Sequence, residues 1–261
     1  MAQKEITFKG LRKFNAVMGS LHLVQAIFML VVALVIVKIQ DFTPTIWSNF
    51  LSYNNLTHSL ETNPQALFNL PFGILVSVFL FISAIAHFII VTPKGNLIYN
   101  NGLKKGINYF RWYEYAISSS LMIMLIAVLF GVYDIGALIL IVFLNATMNF
   151  FGLQMEKLNQ YTQKTDWTPF IFGAVAGLGC WLVIALYAFG NSDPAQVPWF
   201  VYAIVGSYFV FFNLFPVNMV LQYKKVGKWK DYLYGEKMYI ILSLVAKTAL
   251  AWLVFAGVMQ P

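Results

Sequence analysis

The sequence predicts an all-α fold, a single bundle of seven membrane-spanning helices that occupies residues 1–261. Of the 261 residues, 60% are hydrophobic and only 10% are charged, whereas a soluble domain carries about 25% charged residues. A helix needs about 20 apolar residues to cross a bilayer. Seven segments reach that length, namely residues 14–38, 70–92, 107–131, 135–155, 168–190, 198–222 and 237–259. We therefore expect a multi-pass protein of the cell membrane, with the lipid bilayer as a partner.

The basic residues near the ends of these segments predict the orientation of the bundle. Of 17 Lys and Arg residues, 15 fall on the side of the N-terminus, and Lys38 alone lies on the other side. Because cytoplasmic loops are enriched in Lys and Arg, we expect a cytoplasmic N-terminus and an extracellular C-terminus, opposite to G-protein-coupled receptors. The 15 residues are Lys4, Lys9, Arg12, Lys13, Lys94, Lys104, Lys105, Arg111, Lys157, Lys164, Lys224, Lys225, Lys228, Lys230 and Lys237.

Other features of the composition argue against several classes of function. The net charge of +7 comes from these loops, so it does not indicate a nucleic-acid partner. Cys180 is the only cysteine and lies in an apolar segment, which excludes a disulfide framework and a thiolate metal site. The sequence has no catalytic triad, metalloprotease motif or phosphate-binding loop, so we expect neither an enzyme nor a metal site.

The first outer connection, residues 39–69, is long for a helical bundle. Its prolines, Pro44 and Pro64, and its neighbouring polar residues are typical of turns. We expect an extracellular cap over the outer end of the bundle, with a short hairpin. The connections near residues 132–134 and 191–197 are short, so the helices that they join should pack antiparallel.

Lys247 is the one charge within residues 238–258. At a rise of 1.5 Å per residue, it lies roughly 15 Å from either end of the seventh segment, at the membrane midplane. A charged lysine there costs about 2.5–3.5 kcal/mol, so it needs a partner or a chemical role. A desolvated lysine amine condenses with an aldehyde to a Schiff base. The alternatives are an ion pair with a buried acid, or snorkelling to the surface, which suits helix ends better.

Three ionisable residues on other segments predict a polar layer in the cytoplasmic half. His22, His87 and Glu114 lie on the first three segments, each roughly 8–12 Å from the cytoplasmic end. Glu114 is the expected counter-charge of Lys247, because no other acidic residue lies well inside a predicted span. The two histidines can exchange a proton near neutral pH. Haem ligation by both histidines is a rival interpretation, but it gives Lys247 and Glu114 no role.

Further polar and aromatic residues surround this layer. Gln25 and Ser83 lie one turn deeper, and Ser243 lies one turn from Lys247 on the same face. Arg111, one turn from Glu114, either gates that acid or belongs to the basic cytoplasmic residues. An apolar slot beside Lys247 is predicted from the third to sixth segments, with the candidate lining residues Trp112, Tyr115, Ser118, Ser119, Ser120, Asn145, Met148, Asn149, Trp181, Phe209, Phe211, Phe212 and Asn213.

The chain resembles the retinal-binding rhodopsins, and among them the heliorhodopsins. The residues that carry the resemblance are Phe110-Arg-Trp-Tyr-Glu-Tyr115 with Ser118-Ser-Ser120, and Ser243-Leu-Val-Ala-Lys-Thr-Ala-Leu-Ala-Trp252. Supporting strings are His22-Leu-Val-Gln25, Ala86-His-Phe88, Phe211-Phe-Asn213 and Gly227-Lys-Trp229. The similarity covers nearly the whole chain and is weakest in residues 39–69. The inverted orientation also fits that family.

The resemblance implies a retinal, all-trans in the dark, bound covalently as a Schiff base. It implies that Lys247 forms this linkage, that Glu114 is its counterion and that Ser243 lies beside it. The residues that would line the chromophore are Tyr115, Asn145, Trp181 and Phe209. The residues that would form a cavity for the Schiff-base proton are His22, His87, Ser83 and Gln25.

The distribution of acids favours a light-sensing photoreceptor over a pump. Pump-type rhodopsins are similar in having a second carboxylate on the third helix, about three turns after the first. In this sequence Leu125 occupies that position. With no buried carboxylate in the outer half, a proton that leaves Lys247 finds acceptors only on the cytoplasmic side and returns from there. The alternative is a light-driven ion transporter or channel.

The remaining expectations concern partners. The resemblance implies a homodimer, and Gly173-Ala-Val-Ala-Gly177 presents small residues that permit close helix contact; the alternative is a contact within the bundle. The basic loop of residues 224–237 would attract anionic lipid or a cytosolic signalling partner, although membrane topology explains its charge equally well.

Overall fold

The structure, a computed structural model, describes residues 6–190 and 199–259. Within these residues, seven helices are long and apolar enough to cross a membrane, which confirms the predicted number. The helices are α1 (Phe8–Val35), α2 (Val37–Gln40), α3 (Phe72–Val91), α4 (Pro93–Lys104), α5 (Tyr109–Leu129), α6 (Ile135–Leu158), α7 (Thr168–Phe189), α8 (Trp199–Tyr223) and α9 (Tyr232–Met259). All but α2 and α4 are candidate spans. The predicted connection at 191–197 lies outside the described residues.

Several helices extend beyond the predicted apolar segments. α1 begins at Phe8 instead of residue 14, because the Thr7 side chain accepts a hydrogen bond from the Gly10 N–H and caps the helix. α6 continues to Leu158 instead of residue 155, and α9 begins at Tyr232 instead of residue 237. The added turns are polar. An apolar pattern marks only the part of a helix that faces hydrocarbon, so it misses such turns.

Helix α4 lies in a connection for which the sequence predicted no helix. The Thr92 side chain caps it by accepting a hydrogen bond from the Gly95 N–H, and Pro93 occupies the first turn, where a missing N–H costs little. Its buried residues Tyr99 and Leu103 pack in a cluster with Leu11 of α1. This contact holds α4 against the ends of the spanning helices, and we call this end of the bundle the α4 end.

Residues 39–69 form a long hairpin at the opposite end, which we call the hairpin end. Strands β1 (Thr45–Asn54) and β2 (Ser59–Asn69) pair antiparallel, with a bulge between Ile46 and Trp47. The base is anchored where Ile46 is buried and the Trp47 N–H donates to the Tyr133 carbonyl at 2.9 Å. Strand β2 is exposed along its whole length. The hairpin therefore extends away from the bundle, which differs from the short hairpin and cap that the sequence predicted.

Helix α5 is the most buried of the seven candidate spans and packs between α3 and α6. The largest apolar cluster fills the hairpin half of the bundle and includes Leu125 of α5 and Leu250 of α9. A second cluster surrounds Trp112 in the α4 half. The Trp112 ring packs directly against Gly152 of α6, where an added Cβ would lie 2.2 Å from the nearest ring atom.

The small-residue face of α7 packs inside the bundle. A Cβ on Gly173 would lie 3.3 Å from the Met148 carbonyl oxygen, and one on Gly177 would lie 2.6 Å from Met148 Sδ. Both glycines therefore serve the contact between α7 and α6. The use of this face as a dimer interface was the wrong alternative, because the side of α7 that carries it is already covered by the same chain.

We predict that Gly152→Ala lowers the melting temperature, whereas Gly206→Ala does not. Inserting a methyl group against a rigid indole ring typically costs about 1–3 kcal/mol, more than the roughly 0.5–1 kcal/mol that alanine gains over glycine in a helix. Gly206 of α8 has no atom within 4 Å of an added Cβ, so it is the matched control. Thermal unfolding in detergent, followed by circular dichroism, measures both variants. Equal melting temperatures would contradict the close packing at Gly152.

Candidate functional site

Lys247 is buried, with 2% of its surface exposed, and its ammonium group has three hydrogen-bond partners. Nζ donates to Glu114 Oε1 at 2.5 Å, to Ser83 Oγ at 2.5 Å and to Ser118 Oγ at 2.8 Å. A lysine ammonium has three N–H donors, so each donor has one acceptor. The ion pair with Glu114 supplies the counter-charge that a cation in this position requires.

Three helices build this site through residues that share a face. Lys247 comes from the middle of α9 and Ser83 from α3, while Glu114 and Ser118 of α5 are four residues apart and therefore neighbours on one helix face. The Ser83 hydroxyl accepts from Lys247 and donates to Glu114 Oε1 at 2.7 Å. The sequence predicted Ser118 as cavity lining, and its direct bond to Lys247 was missed. Its spacing from Glu114 was the available signal.

A cavity of about 350 Å³ begins at Lys247 and extends between α5, α6, α7 and α8. We call it the main cavity. Its volume lies in the range of small-molecule pockets, about 300–1,000 Å³. Most of the predicted lining residues lie in its wall, namely Trp112, Tyr115, Ser119, Asn145, Met148, Asn149, Trp181, Phe209, Phe212 and Asn213. The Trp181 ring packs edge-to-face against Phe209 and Phe212, with ring centroids 5.4 and 5.7 Å away.

A second, polar cavity of about 40 Å³ lies on the α4 side of Lys247. We call it the polar cavity. Among the residues predicted to hold a proton, Ser83 and His87 lie in its wall, together with Glu114 and Ser243. His22 and Gln25 do not line it. Gln25 instead accepts a hydrogen bond from the Thr248 hydroxyl at 2.8 Å. Tyr115 and Tyr239 line both cavities and separate them.

His22 and His87 are stacked, with ring centroids 5.4 Å apart and an interplanar angle of 17°. His87 Nδ1 lies 2.7 Å from Asn15 Oδ1, whereas both nitrogens of the fully buried His22 lack a partner. The ring faces oppose each other, and haem ligation requires two ring nitrogens directed at one iron from opposite sides. The stacked geometry therefore does not support the haem interpretation.

A second buried ion cluster, which the sequence did not predict, lies at the α4 end of the polar cavity. Arg111 pairs with Glu156 of α6 and with Glu236 of α9. Its guanidinium lies 3.9 Å from the centre of the Tyr239 ring. We call Arg111, Glu156 and Glu236 the arginine cluster. Arg111 thus does not pair with Glu114, which gives no support to the gating interpretation, and among the basic residues of the α4 end it is buried.

The arginine cluster was missed because both acids lie one residue outside the predicted spans of 135–155 and 237–259. The helices are longer than those spans, so Glu156 and Glu236 are each only 1% exposed. Glu114 is still the one acid well inside a predicted span, but two further acids, at the ends of α6 and α9, are buried as well. Trp112 is a second side-chain donor to Glu156, with Nε1 at 2.6 Å. An arginine followed directly by a tryptophan at the start of α5 was therefore the available signal in the sequence.

The fold and site define a class of protein. A seven-helix membrane bundle, with a lysine buried midway along the last span and paired with a carboxylate of the third beside an apolar cavity, has the architecture of the retinal-binding rhodopsins. The family model of heliorhodopsins matches residues 11–259, nearly the whole chain. The protein belongs to the heliorhodopsin family. A comparison with curated individual proteins finds no significant match. The family implies a retinal chromophore and a photoreceptor type of protein rather than a classical enzyme.

The residues of the main cavity fit a retinal. Retinal is an apolar chain with an aldehyde at one end, and the cavity offers aromatic walls and one primary amine, Lys247. A desolvated lysine amine is a group that can condense with an aldehyde in its neutral form. Asn145 Oδ1 lies buried in the cavity region without a partner, so it is available to a bound group.

We predict that Arg111→Ala strongly destabilises the chain. Removing the one cation of the arginine cluster leaves two carboxylates buried, and breaking a buried ion pair costs about 3–5 kcal/mol. Arg12→Ala is the control, since the part-buried Arg12 donates only to the Val91 carbonyl and its loss leaves no buried charge. Yield of monodisperse protein and melting temperature in detergent report both. Equal values for the two variants would contradict the structural importance of the cluster.

Proposed function

We propose that the protein is a light-sensing receptor in which retinal is bound to Lys247 as a protonated Schiff base, with Glu114 as counterion. The single observation that carries this proposal is the buried contact between Lys247 and Glu114 at the edge of an apolar cavity. Retinal, when bound, supplies the absorption of visible light and a light-driven change of shape. The family resemblance implies that the bound retinal is all-trans in the dark.

The residues of the chain have separate tasks in this proposal. A protonated Schiff base keeps a single N–H, for which Glu114, Ser83 and Ser118 are the acceptors within reach, and Glu114 balances its charge. Ser243, one turn from Lys247, faces the polar cavity. The walls of the main cavity exclude water and orient the chromophore, with Tyr115, Asn145, Trp181 and Phe209 as its nearest predicted contacts.

The position of the polar groups supports sensing without net transport. Glu114, Ser83, His87 and the arginine cluster all lie on the α4 side of Lys247. On the other side, the interior is filled by the apolar cluster that contains Leu125. The acidic side chains described there, Asp41, Glu61 and Asp134, are not buried. A proton released from the nitrogen therefore has buried carboxylate and histidine acceptors in one direction only and returns from that direction.

We also propose that the α4 end faces the cytoplasm. The described basic side chains other than Lys38 and Lys247 belong to this end, and the positive-inside rule applies to such short loops. The N-terminus is then cytoplasmic and the hairpin extracellular. The exposed lysines at residues 224, 225, 228 and 230 offer a surface to anionic lipid or to a cytosolic signalling partner. A homodimer remains a prediction from the family resemblance, through a surface other than Gly173 and Gly177.

We predict that Lys247→Ala folds but stays colourless when retinal is added, because no other primary amine reaches the main cavity in the described part of the chain. Lys237→Ala is the control, since Lys237 lies on the same helix about 15 Å away along its axis. An absorption spectrum after addition of all-trans retinal measures both variants. Visible absorption in Lys247→Ala that remains after free retinal has been removed would refute the attachment site.

We predict that Glu114→Gln shifts the pigment toward the ultraviolet at neutral pH, and that acid restores its colour. Without the carboxylate, the buried cation loses its counter-charge, and the charged form of the nitrogen becomes less favourable. Glu114→Asp keeps the charge and should change only the position of the band. A spectrophotometric pH titration compares the three proteins. Identical titration curves for wild type and Glu114→Gln would assign the counter-charge to another group, and chloride dependence of the colour would identify a bound anion.

We predict that illuminated vesicles containing the pigment show no sustained change of internal pH. The polar groups on one side of Lys247 allow a proton to leave and return, whereas net transport needs a path on both sides. A proton-pumping rhodopsin in the same vesicles is the positive control. A sustained change that an uncoupler abolishes would support the alternative function, a light-driven ion transporter or channel.

A further inference from the structure

We propose that Glu236 of the arginine cluster is the group that stores the proton released from Lys247. This inference rests on the proposed function and deepens it, since it assigns the proton to one carboxyl group instead of to the histidines. Glu236 lies on α9, the helix of Lys247, about three turns toward the α4 end. Its side chain is buried and lies in the wall of the polar cavity.

The polar cavity connects the two ionic sites. Glu114 lies in its wall at the Lys247 side, and Glu236 and Arg111 lie in its wall at the α4 end. A volume of about 40 Å³ exceeds the roughly 10–15 Å³ that a single ordered water needs. Arg111 Nε is buried without a hydrogen-bond partner, and Arg111 lies in the wall of this space. Ordered water in the cavity would accept from this N–H and would carry a proton between the carboxyl groups.

The charge of the arginine cluster favours uptake of one proton. One guanidinium is paired with two carboxylates, so the cluster carries one uncompensated negative charge when both acids are ionised. An uncompensated buried charge is costly. The Lys247–Glu114 pair, by contrast, is already neutral in sum. A proton added to the cluster removes its net charge, whereas a proton added to either histidine creates a new buried cation.

Within the cluster, Glu236 is better placed than Glu156 to take the proton. Glu156 accepts four hydrogen bonds, from Arg111, Trp112 Nε1, the Asn108 N–H and the Tyr232 hydroxyl, and it does not line the polar cavity. Glu236 accepts three, from Arg111, the Asn108 side chain and the Tyr99 hydroxyl, and it does line the cavity.

The transfer balances in protons and in charge. The N–H bond at Lys247 Nζ breaks and an O–H bond forms at Glu114, whose proton then passes through water in the polar cavity to a Glu236 oxygen. At the end, the Lys247 nitrogen is neutral, Glu114 is again a carboxylate and Glu236 is a carboxylic acid. The total charge of the interior is unchanged. Return of the proton reverses each step.

Several titratable groups face Glu236. From α4, α5 and α6 they are Tyr99, Arg111 and Glu156. From α9 they are Tyr232 and Tyr239, and Tyr223 of α8 lies next to Glu156. Across the polar cavity lie Glu114 of α5 and His87 of α3. Glu114 and His87 are the competing acceptors in the wall; His87 Nδ1 is already engaged with Asn15, which leaves its second nitrogen for a proton.

Infrared spectroscopy tests the proposal with and without retinal, since a carboxylic acid has a C=O stretching band that a carboxylate lacks. In the pigment-free chain, lowering the pH protonates the exposed carboxylates as well, so the difference between wild type and Glu236→Gln should isolate one carboxylic acid component, which Glu156→Gln keeps. In the pigment, illumination should produce a new carboxylic acid band in wild type, Glu156→Gln and His87→Gln. Glu236→Gln should lack it, and Glu236→Asp should show it at a shifted frequency.

The outcomes separate this inference from the proposed function. A light-induced band that persists in Glu236→Gln, or that vanishes in His87→Gln, would overturn the assignment to Glu236. Absence of any light-induced carboxylic acid band in the wild-type pigment would also overturn it, without recourse to a variant that folds poorly. A wild-type chain that stays colourless with retinal would instead refute the proposed function.

Discussion

The structure depends on keeping one ammonium group charged or reactive in the middle of an apolar bundle. Lys247 is tolerable there because Glu114, Ser83 and Ser118 accept its three hydrogen bonds, and these acceptors come from two other helices. The requirement fixes the rotation of α3 and α5 relative to α9. Without Glu114, the site would hold an unpaired cation, at a cost of about 3–5 kcal/mol. The same requirement leaves the amine at the edge of the main cavity, where an aldehyde can reach it.

Two ionic sites, roughly one helical turn apart along α5, have different roles in the polar interior. Glu114 serves the lysine, and Arg111 joins α5 to α6 and α9 through Glu156 and Glu236. Between them lies the polar cavity. A change of charge at Lys247 therefore acts first on the groups at the helix ends on the α4 side. In a receptor, these ends are where a cytosolic partner would detect the change. The apolar packing around Leu125 keeps the opposite side closed to charge.

The part of the fold that lies in the hydrocarbon core of the membrane was predictable from the sequence. Seven apolar segments give seven spans, and a midplane lysine requires a carboxylate, which left Glu114 as the candidate. The arginine cluster was not predictable in this way, because Glu156 and Glu236 lie in polar turns beyond the apolar segments and are buried by α4 and the loops. The hairpin was also predictable only in part. Its prolines indicated turns, but the length and exposure of β2 depend on strand pairing, which the alternation of polar and apolar residues does not reveal. Likewise, only coordinates show that Gly173 and Gly177 face Met148.

Chemical mapping of the retinal attachment tests the central claim most directly. Reduction of the pigment with borohydride converts a Schiff base into a stable secondary amine, and peptide mass spectrometry then locates the retinyl group. The account predicts a retinyl mass on Lys247 alone, in the α9 peptide that also contains Ser243, and on no other lysine when the chain is denatured after reduction. A retinyl group on a different lysine, or full recovery of unmodified Lys247 from a coloured and reduced sample, would contradict it.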